Sequence, residues 1–230
     1  MRIVDCAVIP AYNEVSTIAD VIRKAKRYVR VCIVVDDASS DETYFVAQAS
    51  GADAIRLPKN IGTGKAVQIG LQYAQSLRYS SVVLLDADGQ HNPDDIPRLA
   101  VSLLGDTDLV IGSRYLKNSA SSTSFLRVLG TSFISFLLTA LWGVSVKDPT
   151  SGFRIFNQRV LRVFSEHYPS VFPEPESLLL LKDEFTIREV PVQMFKRQHG
   201  RSSIAGYRGA ALMIYILVVF IRNALFPVKR

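Results

Sequence analysis

The chain has 230 residues, of which 48% are hydrophobic and 21% charged, with a formal net charge of +6. The length is about one and a half times a common domain, and the balance is that of a globular protein, which excludes a disordered or low-complexity chain. Residues 1–114 hold 12 Lys/Arg against 14 Asp/Glu, residues 115–230 hold 15 against 7, and from residue 190 onward there are seven basic residues and no acid. An acidic front and a basic rear imply two jobs.

The two cysteines, Cys6 and Cys32, exclude a disulfide scaffold and sit in apolar runs as small core residues. No Cys/His cluster has zinc spacing. The N-terminus passes straight into a strand-like run without a leader pattern, so the expectation is a cytosolic protein.

In chain order, apolar runs at Ile3–Ile9, Val31–Val35, Ala54–Leu57, Val82–Leu85 and Leu109–Ile111 alternate with amphipathic stretches near 15–28, 41–49, 63–79 and 93–104. Most of the runs lack polar alternation, as expected of parallel strands covered on both faces. The alternation predicts an α/β fold: a Rossmann-like, mostly parallel open sheet flanked by helices. Ligands bind such sheets beyond the carboxyl ends of the strands. There the chain carries Pro10-Ala11-Tyr12-Asn13-Glu14, Asp36-Asp37, Lys59 to Lys65, Asp86-Ala87-Asp88-Gly89-Gln90-His91 and Gly112-Ser113-Arg114. Five consecutive polar strand ends on one rim are the most informative feature.

Asp86 and Asp88, beside Gln90, can place hard oxygens around Mg²⁺ or Mn²⁺ to neutralise a diphosphate. The plain alternative is that Asp86 closes the strand and Asp88 caps a turn. Asp41 reads as a helix cap, and Asp37 as a partner for a nucleobase or ribose. Tyr12 can stack on a base, and Glu14 can bond a ribose hydroxyl. The Lys59–Lys65 loop lacks the spacing of a Walker phosphate loop and is either a backbone approach to a ligand or a turn opening a helix. Thr150-Ser151-Gly152 is a turn signal before a helix at 157–166, in which case Arg154 is a surface residue. Glu174 and Glu176 either face an acceptor or complement a helix N-terminus.

Together with Asn60-Ile61-Gly62 and Asp148-Pro149-Thr150-Ser151-Gly152-Phe153-Arg154, these motifs resemble family 2 glycosyltransferases of the GT-A fold, in the dolichyl-phosphate mannosyltransferase and polyprenyl-phosphate glycosyltransferase branch. The resemblance runs in order from about residue 3 to about 204. It implies a metal (Mg²⁺ or Mn²⁺) on Asp86, Asp88 and Gln90. It implies a nucleoside near Pro10, Tyr12, Glu14, Val35 and Asp37, with Ala87 in the same donor site. It also implies phosphate contacts from Arg114 and Arg197, and a site role for Asp148. The family's late lysine position holds Ser203, so Arg201 is the candidate for the missing charge, and Arg127 is a further candidate for positioning phosphate.

The implied reaction is inverting transfer of a hexose from a nucleotide-diphosphate sugar to a polyprenyl phosphate. The implied partners are the donor, the lipid acceptor, an anionic membrane surface and a small integral-membrane subunit. Two other classes stand beside it: a soluble glycosyltransferase acting on a saccharide hydroxyl, and a non-catalytic subunit that keeps the fold. The basic tail does not read as a nucleic-acid site, since no stacking platform or recognition helix accompanies it.

The expected organisation is a catalytic domain over 1–204 and a C-terminal docking helix over 205–230. Residues 119–146 contain one basic residue, Arg127, and no acid; residues 209–221 are apolar throughout but too short to span a bilayer. Both read as interfacial helices, placing the protein peripherally on the cytoplasmic face of a membrane. A buried core helix is the plain alternative for 209–221.

Overall fold

The computed structural model describes residues 3–116, 125–182 and 184–195, with Phe125, Leu126 and Arg127 described as backbone only. In order, the elements are β1 Val4–Ala11, α1 Ile18–Ala25, β2 Val29–Asp36, α2 Thr43–Ala49, β3 Asp53–Arg56, α3 Thr63–Ser76 and β4 Ser81–Leu84. A 3₁₀ turn at Pro93–Asp95 leads into α4 Ile96–Ser102, then β5 Leu109–Ser113, α5 Phe125–Trp142, β6 Arg154–Asn157, α6 Gln158–His167, α7 Pro173–Leu179 and β7 Ile187–Pro191.

The seven strands form one sheet in the order β3-β2-β1-β4-β6-β5-β7. All pairings are parallel except those of β6, which runs antiparallel between β4 and β5. The five expected strands are present and their carboxyl ends share one rim. Because β6 is reversed, it starts at that rim, so the segment leading into Arg154 arrives beside the ends of β4 and β5.

Strand alternation divides the core into two halves. Cys6 and Val8 of β1 face one side with Leu71, Phe156 and Phe164. Ala7 and Ile9 face the other with Ile18, Ile22, Ile96 and Phe153. Cys32 joins the second half, so both cysteines are the core residues expected. Each fully buried side chain of the size of Leu71 contributes about 2 kcal/mol, which makes this two-sided burial the main support of the rim. Helix α3 lies close enough to its surroundings that a Cβ on Gly64 would sit 2.4 Å from the Pro169 carbonyl oxygen.

Within the expected interfacial segment, α5 is a helix with two characters. Ile134 and Leu138 are buried in the core, whereas Leu129, Phe133 and Phe136 line its outer face. Among the described residues no helix is long and apolar enough to cross a membrane. The 209–221 segment and the basic tail lie outside the described residues.

Candidate active site

The first two loops of the rim clasp each other. Asn13 and Ala38 take positive φ angles of 56° and 59°, a conformation that costs a non-glycine residue roughly 1–2 kcal/mol. Contacts hold it: Asp37 donates its amide to the Ala11 carbonyl at 2.8 Å, Asn13 donates to Ser39 Oγ at 2.9 Å, and Ser40 donates to Asn13 Oδ1 at 2.8 Å. Tyr12 stands at this junction, 48% exposed, available for stacking. The Glu14 amide donates to Thr43 Oγ1 at 2.8 Å, and its carboxylate accepts from Thr17 Oγ1 at 3.3 Å. Pro10 and Val35 are opposite each other in β1 and β2, with the Val35 side chain packed in the core.

The Asp37 carboxylate ties down the third loop. Its two oxygens accept the amides of Ile61 and Gly62, each at 2.8 Å. This explains how Gly62 is held at φ 93° as it opens α3, a region glycine enters without steric cost. Asp37, expected to meet the nucleoside, is thus first a loop tie. Asp41 has the capping role expected of it: it accepts from the Thr43 amide at 2.9 Å, at the start of α2.

After β4, the acidic loop turns on His91. His91 Nδ1 accepts the Asp86 amide at 3.0 Å, which puts the ring proton on Nε2, 3.4 Å from Asp86 Oδ2. The ring is buried and stacked on Phe153 at 5.1 Å, and burial pushes its pKa down to about 4. It is a neutral support for Asp86, whose side chain remains 46% exposed. Asp88 is buried and accepts the Gln90 amide at 3.0 Å. Ala87 between them is buried too. The Gln90 carboxamide nitrogen donates to the Phe195 carbonyl at 3.3 Å while the Phe195 amide donates to the Gln90 carbonyl at 2.9 Å. The described chain therefore ends against the acidic loop. Arg197 and Arg201, two and six residues further on, lie outside the described residues, as does the side chain of Arg127.

At the end of β5, Arg114 meets Asp148. Asp148 is fully buried. Its Oδ2 accepts the Arg114 amide at 2.9 Å and Nε at 2.8 Å; its Oδ1 accepts Nη2 at 2.6 Å and the Thr150 hydroxyl at 3.2 Å. Four hydrogen bonds fill the lone pairs of a carboxylate. Burial disfavours the charged guanidinium, but the hydrogen bonds and charge of Asp148 outweigh it and raise the Arg114 pKa. Asp148 is built to orient Arg114.

Arg154 is not a surface residue. It is completely buried and donates to the carbonyls of Ser151 (2.8 Å), Pro149 (2.9 Å) and Glu174 (2.8 Å) and to Ser177 Oγ (2.7 Å). It fastens the Asp148–Ser151 turn to α7. Glu174 and Glu176 lie in the first turn of α7. Burial pushes the Glu174 carboxyl up, while the charge of Arg154 opposes the rise; the charges of Asp86 and Arg114 also act on it.

The fold thus gathers Tyr12, Glu14, Asp37, Asp86, Asp88, Gln90, Arg114 and Asp148 along one rim. His91 had no role assigned from the sequence, although an imidazole closing an acidic motif was a signal. Thr150 and Arg154 stand in the Asp148–Arg154 motif, but their contacts to Arg114, Glu174 and Ser177 join residues 20 or more positions apart.

The rim carries a carboxylate pair at one strand end and an oriented guanidinium two strands away, and residues 6–164 match the model of glycosyl transferase family 2. The chain belongs to that family. Among its relatives is the UDP-N-acetylglucosamine–dolichyl-phosphate N-acetylglucosaminyltransferase of Methanococcus voltae, 32% identical over 90% of each chain. The polyprenol monophosphomannose synthase of Mycolicibacterium smegmatis is 30% identical over 86% of this chain and 80% of its own. The glucosyl-3-phosphoglycerate synthase of Mycobacterium tuberculosis, solved with Mn²⁺, UDP and phosphoglyceric acid, superposes with a TM-score of 0.74 at 22% identity, covering 98% of this chain and 80% of that one. This likeness shows a shared α/β fold of the GT-A type. The protein is a glycosyltransferase of family 2, with relatives that act on polyprenyl phosphates.

Proposed function

We propose that this glycosyltransferase moves a hexose from a nucleoside-diphosphate sugar to a polyprenyl phosphate, inverting the anomeric carbon. The observation that carries the reading is the Arg114–Asp148 pair beside the Asp86/Asp88 loop. The buried Asp148 carboxylate is engaged in holding a guanidinium, which suits an acceptor that needs its charge positioned more than its proton removed. A phosphate monoester is such an acceptor, being largely dianionic at neutral pH with a second pKa of about 6.

A divalent metal fits this rim. Among the described residues no three His, Cys, Asp or Glu side chains form a metal cluster. Mg²⁺ and Mn²⁺ sites on nucleotides commonly use one or two carboxylates and fill the remaining positions with phosphate oxygens and water. Asp86, Asp88 and the Gln90 carboxamide oxygen would hold it, and it would neutralise charge gathering on the leaving diphosphate. His91 keeps Asp86 oriented. Arg114 meets phosphate, Tyr12 stacks on the base, and Glu14 and the Asp37 loop bound the nucleoside. Such preorganised charge is the main source of rate in a reaction of this kind.

The outer face of α5, with Leu129, Phe133 and Phe136 exposed, supports peripheral attachment at a membrane where the acceptor resides. Arg197, Arg201 and Arg127 are proposed to add positive charge on the acceptor side. Recovery of label from nucleotide sugars in undecaprenyl or dolichyl phosphate tests the reading.

A further inference from the structure

The Arg114–Asp148 pair hangs on a residue that lies off the rim. Glu189 is on β7, opposite Ile111 of β5, three residues before Arg114. Its Oε2 accepts the backbone amide of Lys147 at 2.7 Å and its Oε1 accepts that of Asp148 at 2.9 Å. Two successive amides pointing the same way form a small anion-binding concavity, and here the protein's own carboxylate fills it. Two charge-assisted bonds to adjacent peptides fix both the position and the tilt of that turn. The next link is the Asp148 carboxylate on the Arg114 amide, Nε and Nη2. The sequence Glu189, Lys147–Asp148 backbone, Asp148 carboxylate, Arg114 guanidinium is therefore continuous, and each link has distances of 2.6–2.9 Å.

We propose that Glu189 is a positioning residue for the transfer reaction: by holding the Lys147–Asp148 turn, it sets where the Arg114 guanidinium meets phosphate. The inference rests on the reading that Arg114 contacts a phosphate of the donor or acceptor. Without Glu189, the two amides turn to water and the turn is free to shift. A displacement of about 1 Å at a charged positioning group is enough to cost roughly 100-fold in rate.

The test uses the full-length protein and the variants Glu189→Ala, Glu189→Gln, Arg114→Ala and Arg114→Ala/Glu189→Ala, with two readouts. One is steady-state transfer to polyprenyl phosphate. The other is the hydrogen-exchange rate of the Arg114 side-chain Nε–H by ¹H–¹⁵N NMR, the signal being assigned by its loss in Arg114→Ala. Glu189→Ala should lower kcat/KM by about 10- to 100-fold and speed Nε–H exchange at least tenfold. Glu189→Gln, which keeps one acceptor, should fall between it and the wild type, and it serves alone if the alanine variant does not fold. The double variant should be no slower than Arg114→Ala to within about twofold, because the two residues act as one unit. Wild-type turnover and exchange in the Glu189 variants, or losses that multiply in the double variant, would overturn the proposal. If the wild type itself labels no lipid phosphate, the acceptor reading fails, and the exchange rate alone decides: accelerated exchange upholds the role of Glu189, unchanged exchange refutes it.

Discussion

Arg114 and Asp148 are joined by three hydrogen bonds, one from the backbone amide and two from the guanidinium, at 2.6–2.9 Å. The Asp148 side chain is wholly buried and that of Arg114 only 17% exposed. A buried pair of this kind is costly to break from one side, because the remaining charge is stranded. Asp148→Asn should therefore lower kcat/KM by about 100-fold through disordering Arg114. The Arg114→Lys variant should lose nearly as much, since an ammonium cannot match the two-pronged contact. Steady-state kinetics on both variants, with circular dichroism to confirm folding, checks this.

The acidic loop gives a separate expectation. Asp88→Ala should abolish metal-dependent transfer while moving the melting temperature by only a few degrees, because Asp88 lies in the loop beyond β4, where its carboxylate accepts the Gln90 amide at 3.0 Å, and not in the apolar core. Full activity in the presence of EDTA would remove the metal from the account.

Glu174 separates the two acceptor classes. Its carboxyl is pushed up by burial and feels the charges of Arg154, Asp86 and Arg114, and a carboxyl raised in this way is a candidate to take a proton from a sugar hydroxyl. With a phosphate acceptor, Glu174→Gln should keep turnover within about tenfold of the wild type, below the usual contribution of a general base. A loss of 1,000-fold would favour a hydroxyl acceptor.

Stability should weaken in acid through Asp5. Burial acts to raise its pKa, but hydrogen bonds from Ser80 and Ser81 at the start of β4 outweigh this and leave it below the ordinary value of 3.8. A depressed carboxylate contributes its stabilisation in full above the unfolded pKa and loses it as the pH falls through the folded value. Thermal melts should thus drop more steeply below about pH 4 for the wild type than for Asp5→Asn.

The sheet rim was legible in the sequence because parallel strands read as unbroken apolar runs, as at Val82–Leu85, and polar residues follow each one. Strand β6 was not. It has four residues, and its first, Arg154, carries a charge that reads as exposure. What allows that guanidinium to be buried is a set of carbonyls on Pro149, Ser151 and Glu174, and a carbonyl leaves no mark on residue type. Glu189 was hidden for the same reason: its partners are the backbone amides of Lys147 and Asp148. The strand-end position of Asp37 points to a ligand, whereas its contacts to the Ile61 and Gly62 amides depend on how the third loop folds back and leave no trace in the sequence.

Gly64 offers a check on that packing. An added Cβ would lie 2.4 Å from the Pro169 carbonyl oxygen and 2.8 Å from Ser170 Cα, both backbone atoms that cannot swing aside. Gly64→Ala should cost about 1–3 kcal/mol, read as a melting temperature lower by roughly 2–12 °C.

The central claim is tested most directly by incubating the protein with radiolabelled nucleotide sugars and undecaprenyl or dolichyl phosphate, with Mn²⁺ or Mg²⁺ and with EDTA, and extracting the lipid. The account predicts metal-dependent label in the organic phase, with an α-linked donor giving a β-linked lipid phosphate by NMR. Label that appears only in a water-soluble saccharide, or a lipid product of retained configuration, would contradict it.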